Sequence, residues 1–203
     1  MSKPASNLRL FVAAYPPEDV ARGMLERVRA LPLPPSLAGS SRVLPIEQVH
    51  LTLQFIGDTP AGEMDATVES VQRAAAGLPA FVLRVRQLIA LPERGPKRLI
   101  AAETDIPPAL LELHKRLALR LATNVRDKPG RQYRPHITLR RFASPVKPQA
   151  LALAGVPAAV DRLSFSVERI VLMRSTLSKA GATHHEVAAV SLENVDREEG
   201  GKV

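Results

Sequence analysis

His50-Leu51-Thr52-Leu53 and His136-Ile137-Thr138-Leu139 are one phrase written twice, 136 − 50 = 86 residues apart. With five His and eight Thr in 203 residues, chance supplies roughly 0.2 His-x-Thr triplets, so a matched pair followed both times by Leu is a specific signal. In Val49-His50-Leu51-Thr52-Leu53 apolar and polar residues alternate, the period of a half-buried strand, so His50 and Thr52 share a face. His136 and Thr138 do the same in the second copy, after Pro135. Within each copy His and Thr stand roughly 6.6 Å apart along the strand, close enough to address one small anion. An unperturbed pKa near 6.5 lets one imidazole start neutral and the other protonated, so two of them can act as base and acid. The Thr hydroxyls can donate to phosphoryl oxygens. The set needs neither a metal nor a covalent intermediate, and it suits phosphodiester cleavage or its reversal.

The surrounding elements form a duplicated α+β outline. A strand over 9–14 is followed by a helix from Pro16-Pro17 to about Leu31, ended by Pro32-Leu33-Pro34-Pro35. Strand 49–55 carries the first phrase, and a helix is expected over 62–76. Strands at 81–85 and 98–102 are joined by a turn at Gly95-Pro96. Pro107-Pro108 opens a helix to about Ala122 with an apolar stripe of Leu110, Leu111, Leu113, Leu117 and Leu121, and strand 136–140 carries the second phrase. Residues 144–155 are weakly helical, and 163–173 and 185–192 read as paired strands. The expected architecture is a single bilobal domain over 1–192: two pseudo-symmetric lobes, two antiparallel sheets flanking a central cleft with helices outside. A charged, frayed tail is expected over 193–203.

The paired phrases, the second preceded by Pro, resemble those of the two-histidine phosphoesterase superfamily. Within it the likeness is to the bacterial and archaeal RNA 2′,3′-cyclic phosphodiesterases, also called 2′-5′ RNA ligases. It extends to Arg9-Leu10-Phe11-Val12-Ala13-Ala14, to Leu53-Gln54-Phe55-Ile56-Gly57-Asp58, to Arg141 after the second phrase, and to Leu172-Met173-Arg174-Ser175 with Leu177 and Gly181. The chain departs from the family in having no Trp before the first phrase, and in carrying His184-His185 where a Tyr is usual. The resemblance implies hydrolysis of RNA 2′,3′-cyclic phosphate ends to a 2′-phosphate without a cofactor, or 2′-5′ ligation when a 5′-hydroxyl replaces water. It makes His50 and His136 catalytic, with His136 assigned as the base and His50 as the acid, an assignment that sequence symmetry leaves reversible. Thr52 and Thr138 would hold the phosphoryl oxygens, and Arg141 would counter the charge. Phe55 is where relatives meet the nucleobase, although regular alternation would bury it with Leu51 and Leu53. Alternation also favours Arg140 over Arg141 as the arginine on the His136 face, so both stay candidates.

Composition narrows the classes further. Net charge is +8, with 21 Arg to 7 Lys, which suits phosphate recognition by planar guanidinium groups. Arg126, Lys128, Arg131, Arg134, Arg140 and Arg141 bracket the second phrase as a basic run. Zero cysteines exclude disulfides, thiolate nucleophiles and Cys-bearing zinc sites. No apolar run approaches the ~18 residues of a membrane span, so a cytoplasmic monomer is expected, with RNA bearing 2′,3′-cyclic phosphate ends as partner and no membrane. His114 reads as a surface or packing residue. Adjacent strand residues face opposite ways, so only one of His184 and His185 can line the cleft. Two other functions fit the sequence: a related phosphoesterase acting on a small cyclic phosphate such as that of ADP-ribose, and a non-catalytic RNA-binding module. A zinc hydrolase would want a local His-x-x-x-His pattern, which is missing.

Overall fold

A computed structural model of the chain describes residues 7–121, 133–151, 163–178 and 181–193. In chain order the elements are β1 (Asn7–Ala14), α1 (Glu18–Arg29), α2 (Pro35–Gly39), β2 (Ser41–Val43), β3 (Leu51–Pro60), α3 (Met64–Ala75), β4 (Phe81–Leu91), β5 (Lys97–Thr104), α4 (Pro108–Leu121), β6 (His136–Val146), β7 (Ser164–Val167), β8 (Arg169–Ser178) and β9 (Gly181–Ser191). The strands run β7-β4-β5-β6-β3-β1-β8-β9, with β2 added beside β6, and every pairing between them is antiparallel. The expected two halves are present, one of β7-β4-β5-β6 and one of β3-β1-β8-β9. They are joined across β3 and β6 by one residue pair, Leu51 with Ile137.

Local sequence accounts for the helices. α1 has Glu18 and Asp19 in its first turn and Arg27 and Arg29 in its last, the charge order that the helix dipole favours. α4 opens on Pro108, whose missing N–H costs nothing at a helix start. It buries Leu110, Leu113, Leu117 and Leu121, whereas Leu111, one residue round the helix from that stripe, is 38% exposed. The helices cross between halves: α1, which precedes β3 in the chain, packs against β2 and β6, and α4, which precedes β6, packs against β3 and α3. No helix among the described residues is long and apolar enough to cross a membrane.

Two expectations change. The segment 163–173 is not one strand paired with 185–192. It breaks at Glu168 into β7, which joins β4 in one half, and β8, which pairs β9 and β1 in the other. Glu193, expected to fray, is pinned: its carbonyl accepts the Ala80 N–H at 2.7 Å and its N–H donates to Leu78 O at 2.9 Å. Most of the 144–155 segment, the rest of the tail, and Arg126, Lys128 and Arg131 of the basic run lie outside the described residues.

Candidate active site

The pair that joins the two halves is the middle residue of each phrase. Leu51 and Ile137 lie opposite each other and are fully buried. That register sets position 50 against 138 and 52 against 136, so each His faces the other strand's Thr across a pseudo-two-fold axis. Diagonal neighbours in an antiparallel pair stand about 7–8 Å apart. The orienting contacts obey the same symmetry. His50 Nδ1 donates to Gln48 O at 2.8 Å and His136 Nδ1 to Arg134 O at 2.9 Å, each two residues back. With Nδ1 so engaged, Nε2 is the nitrogen left for a substrate. Thr52 pairs with Ala13 on β1, and Thr138 with Ala101 on β5. Both partners are small, fully buried residues.

Bulges decide which further residues join this face. The β1–β3 register runs from Ala13–Thr52 to Val12–Gln54, skipping Leu53, and Phe11 then meets Phe55. One extra residue reverses the alternation, so Phe55 shares the side of Thr52 and is 43% exposed. Arg9 lies over its ring, 5.1 Å from the centroid. The β5–β6 register skips Leu139 in the same way, passing from Ala101–Thr138 to Ile100–Arg140 and Leu99–Arg141. Arg141 therefore returns to the His136 face, close enough to act on the charges of His50 and His184. Arg140 is corrected: the bulge turns it to the opposite side, where it is 8% exposed and donates to Ser41 Oγ at 2.8 Å. Arg134, of the basic run, is held by Glu103 and Glu93.

The two imidazoles have different surroundings. Around His50 stand Phe11 at 5.1 Å, Tyr15 at 5.3 Å and His184 at 5.2 Å between ring centroids. Burial pushes the His50 imidazole down to about 4. Repulsion from His184 and Arg141 acts in the same direction and the Gln48 carbonyl opposes it. Burial, with Arg141 and His185, also lowers His184. Tyr15 is pushed up to about 12 by burial and by Glu186. Beside His136 the cross-strand neighbour is Glu103. Burial alone would raise the Glu103 carboxyl. Hydrogen bonds from Arg134 and Gln87, with the charges of Arg134 and His136, hold it below the carboxylate range.

Of the adjacent histidines, His184 is the one whose ring stands against His50. Phe11, Tyr15, Arg42 and Glu103 were not foreseen; Arg42 pairs with Arg141 across β2 and β6. A signal for two of them was present. Val12-Ala13-Ala14-Tyr15 and Ile100-Ala101-Ala102-Glu103 form a second internal repeat, whose last members flank the two histidines.

Comparison with known proteins adds to this geometry. Residues 16–178 match the family model of the 2′-5′ RNA ligase superfamily. An RNA 2′,3′-cyclic phosphodiesterase of Thermus thermophilus is 29% identical over 202 residues, covering 91% of this chain and 90% of the relative. The crystal structure of TT0787, also of Thermus thermophilus, superposes with a TM-score of 0.74 at 27% identity, over 92% of this chain and 99% of that one. E. coli LigT complexed with phosphate shares the fold with a TM-score of 0.71 at 21% identity, over 92% and 98%. The family model spans both His-x-Thr phrases and the fold matches along nearly the whole length, so this chain belongs to the 2′-5′ RNA ligase superfamily.

Proposed function

We propose that the protein hydrolyses RNA 2′,3′-cyclic phosphate ends to 2′-phosphates, and that the same site joins RNA through a 2′-5′ linkage when a 5′-hydroxyl replaces water. The observation that carries this reading is the pair of imidazoles set on either side of the Leu51–Ile137 pair, each with Nδ1 committed to a main-chain carbonyl. The name of the Thermus thermophilus relative supports the substrate class.

In this mechanism Thr52 and Thr138 donate to the non-bridging oxygens of the cyclic phosphate. Neutral His50 takes a proton through Nε2 from water, whose oxygen attacks phosphorus. The P–O3′ bond breaks and the His136 imidazolium gives its proton to the 3′ oxygen. Solvent then resets both rings. These roles reverse the sequence-based assignment, because burial beside His184 and Arg141 favours a neutral His50, which suits it to the base and leaves the acid to His136. Arg141 counters the charge that builds on the phosphorane, and Phe55 offers a face to the terminal base. Both proton transfers are made by side chains, so the reaction proceeds without a metal. One chain completes the site, which supports a monomer, and a cysteine-free sequence fits the reducing cytoplasm.

The test is to incubate purified protein, in EDTA, with an oligonucleotide ending in a 2′,3′-cyclic phosphate. Conversion to a 2′-phosphate is expected. Persistence of the cyclic end with folded protein rejects the proposal.

A further inference from the structure

The bulge that brings Phe55 into the cleft has a support outside the strand ladder. Leu53, the residue the register skips, accepts a hydrogen bond through its carbonyl from His114 Nδ1 on α4, at 2.8 Å and 61 positions away in the chain. A carbonyl can only accept, so Nδ1 carries the proton. The His114 ring is in turn stacked on Tyr133, with centroids 3.7 Å apart and planes inclined by 11°, which fixes the direction in which Nδ1 points. The other half repeats the arrangement: the carbonyl of Leu139, the residue skipped there, accepts the Leu44 N–H at 2.8 Å. Both bulges are thus held from outside at the same carbonyl, one by the main chain and one by a side chain.

A support is needed because the outcome opposes the hydrophobic effect. Unbroken alternation would carry Phe55 to the side of Leu51 and Leu53, both buried, whereas the bulge leaves it 43% exposed. We propose that His114 is a positioning residue for substrate recognition: by holding the Leu53 carbonyl it maintains the inserted residue that turns Phe55 toward the cleft, where the ring receives a nucleobase. The placement of Phe55 stands by itself, while the recognition of a base rests on the nucleotide substrate proposed above.

The experiment separates the two. The chain contains no tryptophan, so Phe55→Trp installs a single indole at the bulge, excited at 295 nm apart from the two tyrosines. In that background His114→Phe keeps a ring against Tyr133 but removes the donor, and it should blue-shift the emission and protect the indole from acrylamide as the side chain withdraws. His114→Asn, whose amide N–H takes the place of Nδ1, should leave both as in the parent. With Phe55 restored, His114→Phe should raise KM for a nucleoside 2′,3′-cyclic phosphate about 5- to 100-fold, the worth of one base stacked on an aromatic ring. The kcat should stay within about two-fold, base-free ribose 2′,3′-cyclic phosphate should be turned over as by the parent, and His114→Asn should rescue KM. Should His114→Phe not fold, His114→Gln, which carries its amide one bond further out, is read in the same way. Unchanged emission, an equal loss on the base-free substrate, or failure of the Asn rescue overturns the proposal. If no variant, the parent included, opens any cyclic phosphate, the proposed activity fails, and the fluorescence comparison still decides the placement.

Discussion

A histidine that the fold keeps neutral must weaken that fold when acid forces a proton onto it, and His50 makes the size of the effect calculable. Its imidazole lies at about 4 in the folded protein, against an ordinary value of 6.5. A depressed value means the unfolded chain binds the proton first. The stability contributed by a neutral His50 is therefore complete above 6.5 and is lost as pH falls toward 4. Between pH 7.5 and 4.5 the unfolded chain gains nearly one full proton at this position and the folded one only a fraction. Integrated over that interval the difference amounts to roughly 2–3 kcal/mol. His50→Asn keeps an N–H for the Gln48 carbonyl and cannot titrate in this range. Urea unfolding of both proteins at several pH values isolates the residue, because every other titrating group is common to the two. The wild type should lose roughly 2–3 kcal/mol more than the variant on acidification, and the acid limb of its kcat/KM profile should lie well below 6.5, since that limb reports the base of the free enzyme. Parallel stability curves, or an acid limb at 6.5, would refute the claim that the fold holds His50 neutral and with it the assignment of His50 as base.

Three other outcomes are expected. His50→Ala and His136→Ala should each lower turnover by about 10²–10⁴-fold while thermal melting still shows a folded protein; Thr52→Val and Thr138→Val should lose less, about 0.5–3 kcal/mol of transition-state binding each, and full activity in either His variant would reject the mechanism. Arg141→Gln should impair turnover with little change in melting temperature, whereas Arg140→Leu, which removes a group bonded to Ser41 behind the sheet, should alter stability and spare kcat; the reverse pattern would mean that the bulge at Leu139 has been misread. Ala101→Leu places a larger side chain at the buried position paired with Thr138 and should lower turnover by displacing that hydroxyl, at a stability cost of about 1–3 kcal/mol for overpacking; a variant fully active in the cyclic-phosphate assay would show that Thr138 does not hold the substrate.

The reach of the sequence is clearest at the two phrases themselves. Three residues of alternation suffice to set His beside Thr, because the strand period is two and neither copy is interrupted between them. Beyond Thr52 and Thr138 the same rule fails one residue later. Each bulge inserts a single Leu, and neither Leu53 nor Leu139 differs in type from the buried Leu51 and Ile137 beside it. No Gly or Pro marks the break, so alternation pointed to Arg140, whereas the bulged register puts Arg141 on the His136 face. The crossing at Glu168 was hidden for a related reason: Phe165, Val167, Ile170 and Leu172 are all buried, and an apolar pattern continues through the point where the chain leaves one half for the other. The contacts of His114 and His184 were illegible because their partners lie far away in the chain, 61 positions off in the case of Leu53.

The exchange of helices bears on how such a molecule could have arisen. α1 covers strands of the half to which its own neighbours β1 and β3 do not belong, and α4 covers β3 in return. A half-length ancestor carrying one His-x-Thr phrase would have had an uncovered sheet and half a site as a single chain. Two copies docked about a two-fold axis, each lending its helix to the other, would have had both. Fusion of two such copies would have freed them to diverge, and the aromatic wall at His50 and the Glu103 carboxylate beside His136 are where two otherwise matching imidazoles have come to differ in their surroundings.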